Sequence, residues 1–423
     1  MKKLVLLIVA SSLVAADFIS INLGFMELSL FRISLMLLAI ITIFNYIKLN
    51  KKFALNNLSI QSKIIRFYLL WLFYAILSLG WVKDYDSWLR AVFYITVGFL
   101  CIWTFSVYLK EKKDFSKVFL VFFIMLVIHN IIGLSEILTG VYRFADMTRI
   151  DRYGQYGYNA LARTPVSMFG NTNDFATVIT LGIFITYIVF VNTNSKILKS
   201  LSIFNIISSI YLLVRTGSRA NMLGLAIGIL VLIYLSYYRK ITVKSILLMF
   251  AVPLLIFNPF VLDKILAFAS VNLNFNFAGT GSDGVRVGLI KNGLLFLKET
   301  IGFGVGAGNI EFWMDNYKAY YTGAIRNMHN WWMEVLVGYG VFIFMGYIWT
   351  YLKMFKVFYK TYIKSDDKFI RTTSLGLISL MSAFVVSAIS SSSNMGTSWM
   401  WMLWGVVIAF VGYVENKRKQ ISY

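Results

Sequence analysis

The sequence is poor in the residues that staple, ligate or solvate a chain. It holds one cysteine, Cys101, three prolines and two histidines in 423 residues. A lone cysteine excludes a disulfide-stapled scaffold and a cysteine-ligated metal centre. So few prolines exclude collagen-like and proline-rich segments. Charged residues make up 14% of the chain, where soluble domains carry roughly 25%, so an ordinary water-soluble enzyme is excluded as well. Acid is the scarcer sign: 19 Asp and Glu stand against 40 Lys and Arg, for a formal charge of +21. Such a balance points to nucleic acid or to an anionic surface, and the positions of the cations decide between the two.

What is abundant is apolar, 59% of the residues. A bilayer core about 30 Å thick takes about 20 mostly apolar residues per helix. Twelve such stretches can be read, near 4–23, 28–47, 64–81, 88–109, 115–138, 173–192, 197–214, 220–238, 245–262, 331–352, 369–391 and 397–415. They are apolar around the whole circumference, which suits lipid or a bundle interior. The expected fold is therefore all-α: a polytopic integral membrane protein of about 12 transmembrane helices, one transmembrane domain over 1–423. Two longer connections stand out, 139–172 and 263–330. Met1–Asp17, with its basic start and its small Val14-Ala15-Ala16, has the form of a signal peptide; an uncleaved first helix is the preferred reading.

Cytoplasmic loops are enriched in Lys and Arg, and twenty-five of the forty cations fall in alternate connections. They precede the first span and follow the second, fourth, sixth, eighth and tenth, and Lys417, Arg418 and Lys419 close the chain. Both termini are thereby read as cytoplasmic, and 139–172 and 263–330 as outer loops. The other fifteen cations differ in type. Ten are arginine: Arg32, Arg90, Arg143, Arg149, Arg152, Arg163, Arg215, Arg219, Arg286 and Arg326. The topology rule works against them, and arginine grips oxyanions in bidentate fashion, so the outer face is expected to meet an anionic ligand. Nucleic acid is not needed to explain the charge.

Within the long loop, Val285, Val287, Leu289, Ile290, Leu294 and Leu297 recur at helical spacing opposite Lys291 and Lys298, which predicts an amphipathic helix on the outer membrane surface. The glycine-rich run Gly302–Gly308 follows no strand, so it reads as a tight turn back to the tenth span and not as a dinucleotide site. His129, inside the fifth span, reads as a packed, hydrogen-bonded core residue. His329 enters the tenth span ahead of Asn330, Trp331 and Trp332. That is either an interfacial aromatic belt or a general base beside a basic loop. Arg215 and Arg219 bracket Thr216-Gly217-Ser218, either snorkelling from helix ends or cradling an anion at a helix N-terminus; Arg286 shares that ambiguity. No HExxH, aspartate cluster or cysteine pair offers a metal site, and no cofactor is expected.

Four stretches taken in order carry a resemblance: Arg163 with Met168-Phe169-Gly170-Asn171-Thr172-Asn173; Thr216-Gly217-Ser218-Arg219-Ala220; Arg286 through to Gly302–Gly308; and His329-Asn330 running to Gly340. The chain resembles the O-antigen ligase and Wzy-type polysaccharide polymerase superfamily, with a layout like that of the GT-C membrane glycosyltransferases. It departs in having Asn171-Thr172-Asn173 where Asn-Pro-Asn is frequent, and Gly338 where a glutamate often precedes Tyr-Gly, which leaves Glu334 as the nearby acid. The resemblance implies polymerisation of undecaprenyl-diphosphate-linked repeats on the outer face of a bacterial cytoplasmic membrane. It implies a metal-free inverting transfer, with Arg219 and Arg286 on the diphosphate and His329 taking the acceptor proton. Arg163, Arg215, Asn171, Asn330 and Glu334 would contact substrate. Membrane lipids, and a flippase and chain-length regulator of the same pathway, would be its partners. Transfer to a lipid A core or cell-wall acceptor is the alternative, and a transporter of the same lipid-linked glycan the more distant one, since no internal repeat is visible.

The topology can be read directly. With Cys101 replaced by alanine, a cysteine introduced at Lys318 should react with a membrane-impermeant maleimide in intact cells, and one at Lys113 only after permeabilisation; the reverse pattern would invert the orientation.

Overall fold

In lipid, every backbone N–H and C=O must find a partner within the protein, and an apolar run of about 20 residues supplies all of them itself only as a helix. The computed structural model of the protein describes residues 1–14, 20–22, 27–48, 59–145, 163–238, 282–390 and 395–421. Within them the elements are α1 (Lys2–Ser12), β1 (Ser20–Asn22), β2 (Glu27–Ser29), α2 (Leu30–Lys48), α3 (Ile60–Leu77), α4 (Tyr85–Tyr108) and α5 (Lys112–Thr139). They continue as α6 (Thr172–Asn192), α7 (Lys196–Thr216), α8 (Arg219–Tyr238), α9 (Ser282–Glu299) and α10 (Ile310–Tyr317), then α11 (Trp331–Lys364), α12 (Lys368–Ser387) and α13 (Ser398–Ile421). Ten of these helices are long and apolar enough to cross a membrane, and each coincides with one of the twelve expected stretches. The ninth stretch, 245–262, lies outside the described residues, as do Arg149, Arg152 and the loop residues 146–162 and 263–281.

The first stretch differs from expectation. Its helix covers eleven residues, Lys2–Ser12, about 16 Å at 1.5 Å per residue, and the antiparallel pair Ser20↔Ser29 to Asn22↔Glu27 follows. The Ser11 and Ser12 hydroxyls donate back to the Ile8 and Val9 carbonyls, which competes with the helical ladder where the helix ends.

Large apolar side chains on α2, α3, α7 and α11, among them Phe44, Ile47, Leu70, Phe73, Ile207 and Phe342, are exposed. That is the surface lipid would cover. The central helices are α6, α12 and α13, with 78%, 78% and 89% of their spans buried. Apolar burial does not drive helix association in lipid, so small residues and polar contacts decide the packing. Gly224 and Gly228 of α8 form a Gly-x-x-x-Gly face against α12. A Cβ at Gly224 would lie 2.3 Å from Ser387 Oγ, and one at Gly228 2.9 Å from the Ser379 carbonyl. Between α5 and α7, Asn130 Nδ2 donates to Asn205 Oδ1 at 2.8 Å and to the Ser208 and Ser209 hydroxyls. Asn205 in turn donates to Thr186 of α6. An aromatic cluster joins α3, α11 and α13: the Trp71 ring packs edge-on to Tyr339, Tyr347 and Trp401 at 5.3, 5.8 and 6.3 Å.

The bundle's two ends separate the same connections that the cations separate. At one end Lys2 pairs with Asp114 at 2.8 Å, Glu415 accepts from the Ile60 and Gln61 N–H groups, and Arg418 donates to Thr361. At the other, Asn309 meets the start of α4, and the start of α11 meets the end of α12.

That second end is organised by the glycine-rich run. Helix α11 breaks at Gly340 (φ 78°, ψ 177°), which frees carbonyls that an unbroken helix would use internally. The Val337 and Gly338 carbonyls accept from Val305 and Gly306 N–H, and Val341 N–H donates to the Gly302 carbonyl. On the opposite side of the run, Tyr74 and Trp81 donate to the Phe303 and Gly304 carbonyls. Asn309 Oδ1 accepts from Lys83 and Asp84 N–H, each at 2.8 Å. The run is thus a wedge between the α3–α4 corner and the broken α11, leading into α10, where a tight turn to the tenth span was expected. The amphipathic helix is present as α9. It turns Val285, Leu289 and Phe296 onto a small core with Val305, Ile310 and Met328, and leaves Val287 and Leu294 exposed.

Gly340→Ala and Gly304→Ala would place a methyl 2.4 Å from the Phe303 carbonyl oxygen and 2.5 Å from the Gly340 nitrogen, both at positive φ. Holding a residue with a side chain in such a sparsely populated positive-φ region costs about 1–3 kcal/mol by itself. Each should therefore lower the thermal midpoint of the detergent-solubilised protein, while Gly80→Ala, which meets nothing within 4 Å, should not.

Candidate active site

The turn between α7 and α8 is tight because Gly217 takes the left-handed conformation (φ 66°), which ends α7 and lets α8 begin two residues later. Arg219 is thus the first residue of α8, at the helix end whose dipole favours an anion. Arg286 lies near the start of α9, far away in sequence. Both line one cavity of about 280 Å³, together with Asn173, Ser218 and Ser390. No acidic side chain lines it among the described residues. Two guanidinium groups, hydroxyls and an amide surround a space several times the ~30 Å³ share of one water, a chemistry that suits a polyoxyanion.

His329 stands at the neighbouring corner in the left-handed region (φ 45°), which is uncommon for a residue with a side chain and persists only where its surroundings over-determine it. Here they do. Asn330 caps α11, its side-chain oxygen accepting from Trp332 and Met333 N–H. Trp331 N–H donates to the Ala388 carbonyl at 2.9 Å, at the end of α12. The Trp331 indole is buried and donates to the Tyr347 hydroxyl. Ser390, two residues beyond Ala388, lines the arginine cavity. The end of α12 therefore joins the His329 corner to the arginines, although His329 itself does not line that cavity.

The supporting residues are used differently. Arg163 donates to the Ile137 and Leu138 carbonyls at the end of α5, at 3.0 and 2.9 Å, and Arg215 donates to the Arg163 carbonyl. Both cations tie backbone together beside the cavity and do not line it. Asn171 caps α6 by accepting from Asp174 N–H. Glu334 lines a second cavity of about 320 Å³, with Arg90, Glu311 and Asn327, between α4, α10 and α11.

Glu136 belongs to none of the four stretches that carry the resemblance. Fully buried near the end of α5, it accepts from both Val166 and Ser167 N–H at 2.9 Å. The Ser167 hydroxyl meets His129 Nδ1 at 2.9 Å, and His129 Nε2 lies 2.8 Å from the Leu13 carbonyl. A carbonyl only accepts, so Nε2 carries the proton and Nδ1 accepts from Ser167. The expected hydrogen-bonded core histidine is borne out, and its partners pin the 163–171 segment that leads to Asn173 at the cavity wall. The signal was legible: a carboxylate inside an apolar span is a functional hypothesis by default.

These features define a multi-pass helical membrane protein with a cationic cavity at one end of its bundle. Residues 204–348, which include Arg219, Arg286, His329 and Glu334, match the family model Wzy_C, described as O-Antigen ligase. Over 420 residues, 98% of this chain and 84% of the relative, the chain is 28% identical to the "Teichuronic acid biosynthesis protein TuaE" of Bacillus subtilis (strain 168). Both matches bear out the resemblance read from the sequence, to the O-antigen ligase and Wzy-type superfamily of membrane polysaccharide biosynthesis.

Glu136→Ala should leave two buried N–H groups unsatisfied, about 1–3 kcal/mol each. It should loosen the 163–171 segment, seen as faster proteolysis there, and reduce transfer activity with the bulk of the bundle still folded. Unaltered proteolysis and activity would remove Glu136 from this role.

Proposed function

We propose that the protein polymerises undecaprenyl-diphosphate-linked oligosaccharide repeats into a surface polysaccharide of capsule, O-antigen or teichuronic type. The Lys-rich end of the bundle faces the cytoplasm and the cavities face outward, so that the 139–172 and 263–330 loops act on a donor presented in the outer leaflet. The shared cavity of Arg219 and Arg286 carries this reading: two residues remote in sequence converge on one space of the charge that a diphosphate requires.

In the transfer, the acceptor hydroxyl oxygen bonds to the anomeric carbon of the donor sugar while the bond from that carbon to the diphosphate oxygen breaks. The electron pair leaves with the diphosphate, where Arg219 and Arg286 meet the growing charge. The hydroxyl proton passes to His329, held at its corner by the Asn330 cap and the buried Trp331. Attack from the face opposite the leaving group inverts the anomeric centre, and the exposed apolar faces of the spans guide the polyprenyl tail. Arg163, Arg215, Asn171 and Asn330 fix the backbone that presents these groups. A ligase reading, in which the acceptor is a lipid A core or a cell-wall site, is supported by the description of the matching family model.

Purified protein given its lipid-linked repeat should yield a ladder of products by mass spectrometry; a single addition to a different acceptor would favour the ligase. Charge-assisted hydrogen bonds are worth about 1.5–3 kcal/mol, so Arg219→Ala and Arg286→Ala should each slow transfer by about 10- to 150-fold. His329→Ala should slow it by about 10²- to 10⁴-fold. Near-normal rates from all three, at equal protein levels in the membrane, would end this mechanism. Chelation with EDTA should leave the rate unchanged.

A further inference from the structure

We propose that the cavity between α4, α10 and α11 is a glycan subsite that receives the acceptor sugar; this rests on the transferase reading above and assigns that reaction its second binding site. The two cavities lie at the same end of the bundle and differ in charge. The first carries two guanidinium groups and no carboxylate among the described residues. The second carries Arg90 with Glu311 and Glu334, and its volume is about 320 Å³, within the roughly 300–1,000 Å³ of small-molecule sites. Two carboxylates repel a diphosphate, so the lipid-linked leaving group is sorted toward the arginine cavity. A sugar hydroxyl both donates and accepts, and it fits a wall that mixes carboxylate acceptors with guanidinium donors.

The wall is built for such a ligand. Glu334, in the first turn of α11, is nearly fully buried. Asn327 Oδ1 is also buried and receives no hydrogen bond from the described residues, an acceptor a ligand hydroxyl can use. Tyr94 supplies an aromatic ring that is held in place from behind. The buried Arg32 stacks over it at 4.9 Å from the centroid and donates to the Gly396 carbonyl, and both Tyr94 and Gly396 line the cavity. This also explains an outer arginine that the diphosphate does not need. Asn327 and Met328, which line the cavity, immediately precede His329 in the chain. An acceptor seated here presents its hydroxyl beside the residue proposed to take the proton, with the diphosphate cavity beyond the end of α12.

The test uses the full-length protein in detergent and oligosaccharides released by mild acid from the producing cell's own polymer, which lack both lipid and diphosphate. Saturation-transfer NMR should show binding to the wild type. Glu311→Gln and Arg90→Gln, both at exposed positions that tolerate change, should each weaken it at least tenfold, whereas Arg286→Ala should leave it within twofold. No binding by the wild type, or binding indifferent to both changes, would overturn the subsite. Binding that depends on Glu311 and Arg90 in a protein that forms no polymer from its lipid-linked repeat would sustain the subsite and end the polymerase reading. In the transfer assay with a soluble acceptor, the same two variants should raise the acceptor KM and leave the donor KM unchanged. A shift confined to the donor KM would also overturn the assignment.

Discussion

The end of the bundle that holds both cavities depends on one break in one helix. An α-helix buries its own backbone hydrogen bonds and offers a neighbour only side chains. By taking a positive φ with an extended ψ, Gly340 interrupts that closure and leaves the Val337 and Gly338 carbonyls to accept from the glycine-rich run. The exchange is possible only because the run has no side chains in the way: a Cβ at Gly304 would lie 2.5 Å from the Gly340 nitrogen. Once docked, the run fixes the end of α9 on one side and the start of α10 on the other. Through Asn309, which follows it, the run also holds Lys83 and the N-cap Asp84 just ahead of α4. Arg286, Glu311 and Arg90 are carried on those three helices, so both cavities take their geometry from a contact made almost entirely of backbone.

A second constraint comes from the bilayer. Helices in lipid gain little from apolar burial against one another, and this chain pairs them with glycine faces and buried polar groups. The Gly224–Gly228 face brings α8 against α12, and the chain just past α12 then meets Asn221 in the first turn of α8 and Trp331 beside His329. The carboxylate of Glu136 plays the corresponding part on the other side, collecting the Val166 and Ser167 N–H groups so that the chain enters α6 at a set angle. Placement of the functional side chains is thus inherited from interactions deep within the bundle, several residues away from each of them.

The division of labour among the arginines follows from the same geometry. In the sequence, arginine stands out as the cation of the connections that lysine largely avoids. Individually the residues part company. Arg219 and Arg286 line a cavity, Arg163 and Arg215 hold carbonyls, Arg32 stacks on Tyr94, and Arg326 pairs with Asp315. Composition can say that a face is cationic. It cannot say which cations are occupied by backbone, because that depends on which helix ends come together.

The sequence by itself determined the helical membrane architecture, ten of the described spans, the amphipathic helix, the sorting of the connections to two ends and the core role of His129. Each of these rests on local chemistry: the length of an apolar run, the period of a helical face, the cations beside a span. Tertiary structure alone decided that the first helix stops at Ser12, that Gly302–Gly308 is a wedge, and that α9 buries Val285, Leu289 and Phe296. It also decided that Arg219 and Arg286 share one cavity while Glu334 lines another. The reason is physical. Hydrogen bonds between a freed carbonyl and a remote N–H, and the close approach that a missing Cβ permits, join residues far apart in the chain and leave no periodicity for a reading along it to find.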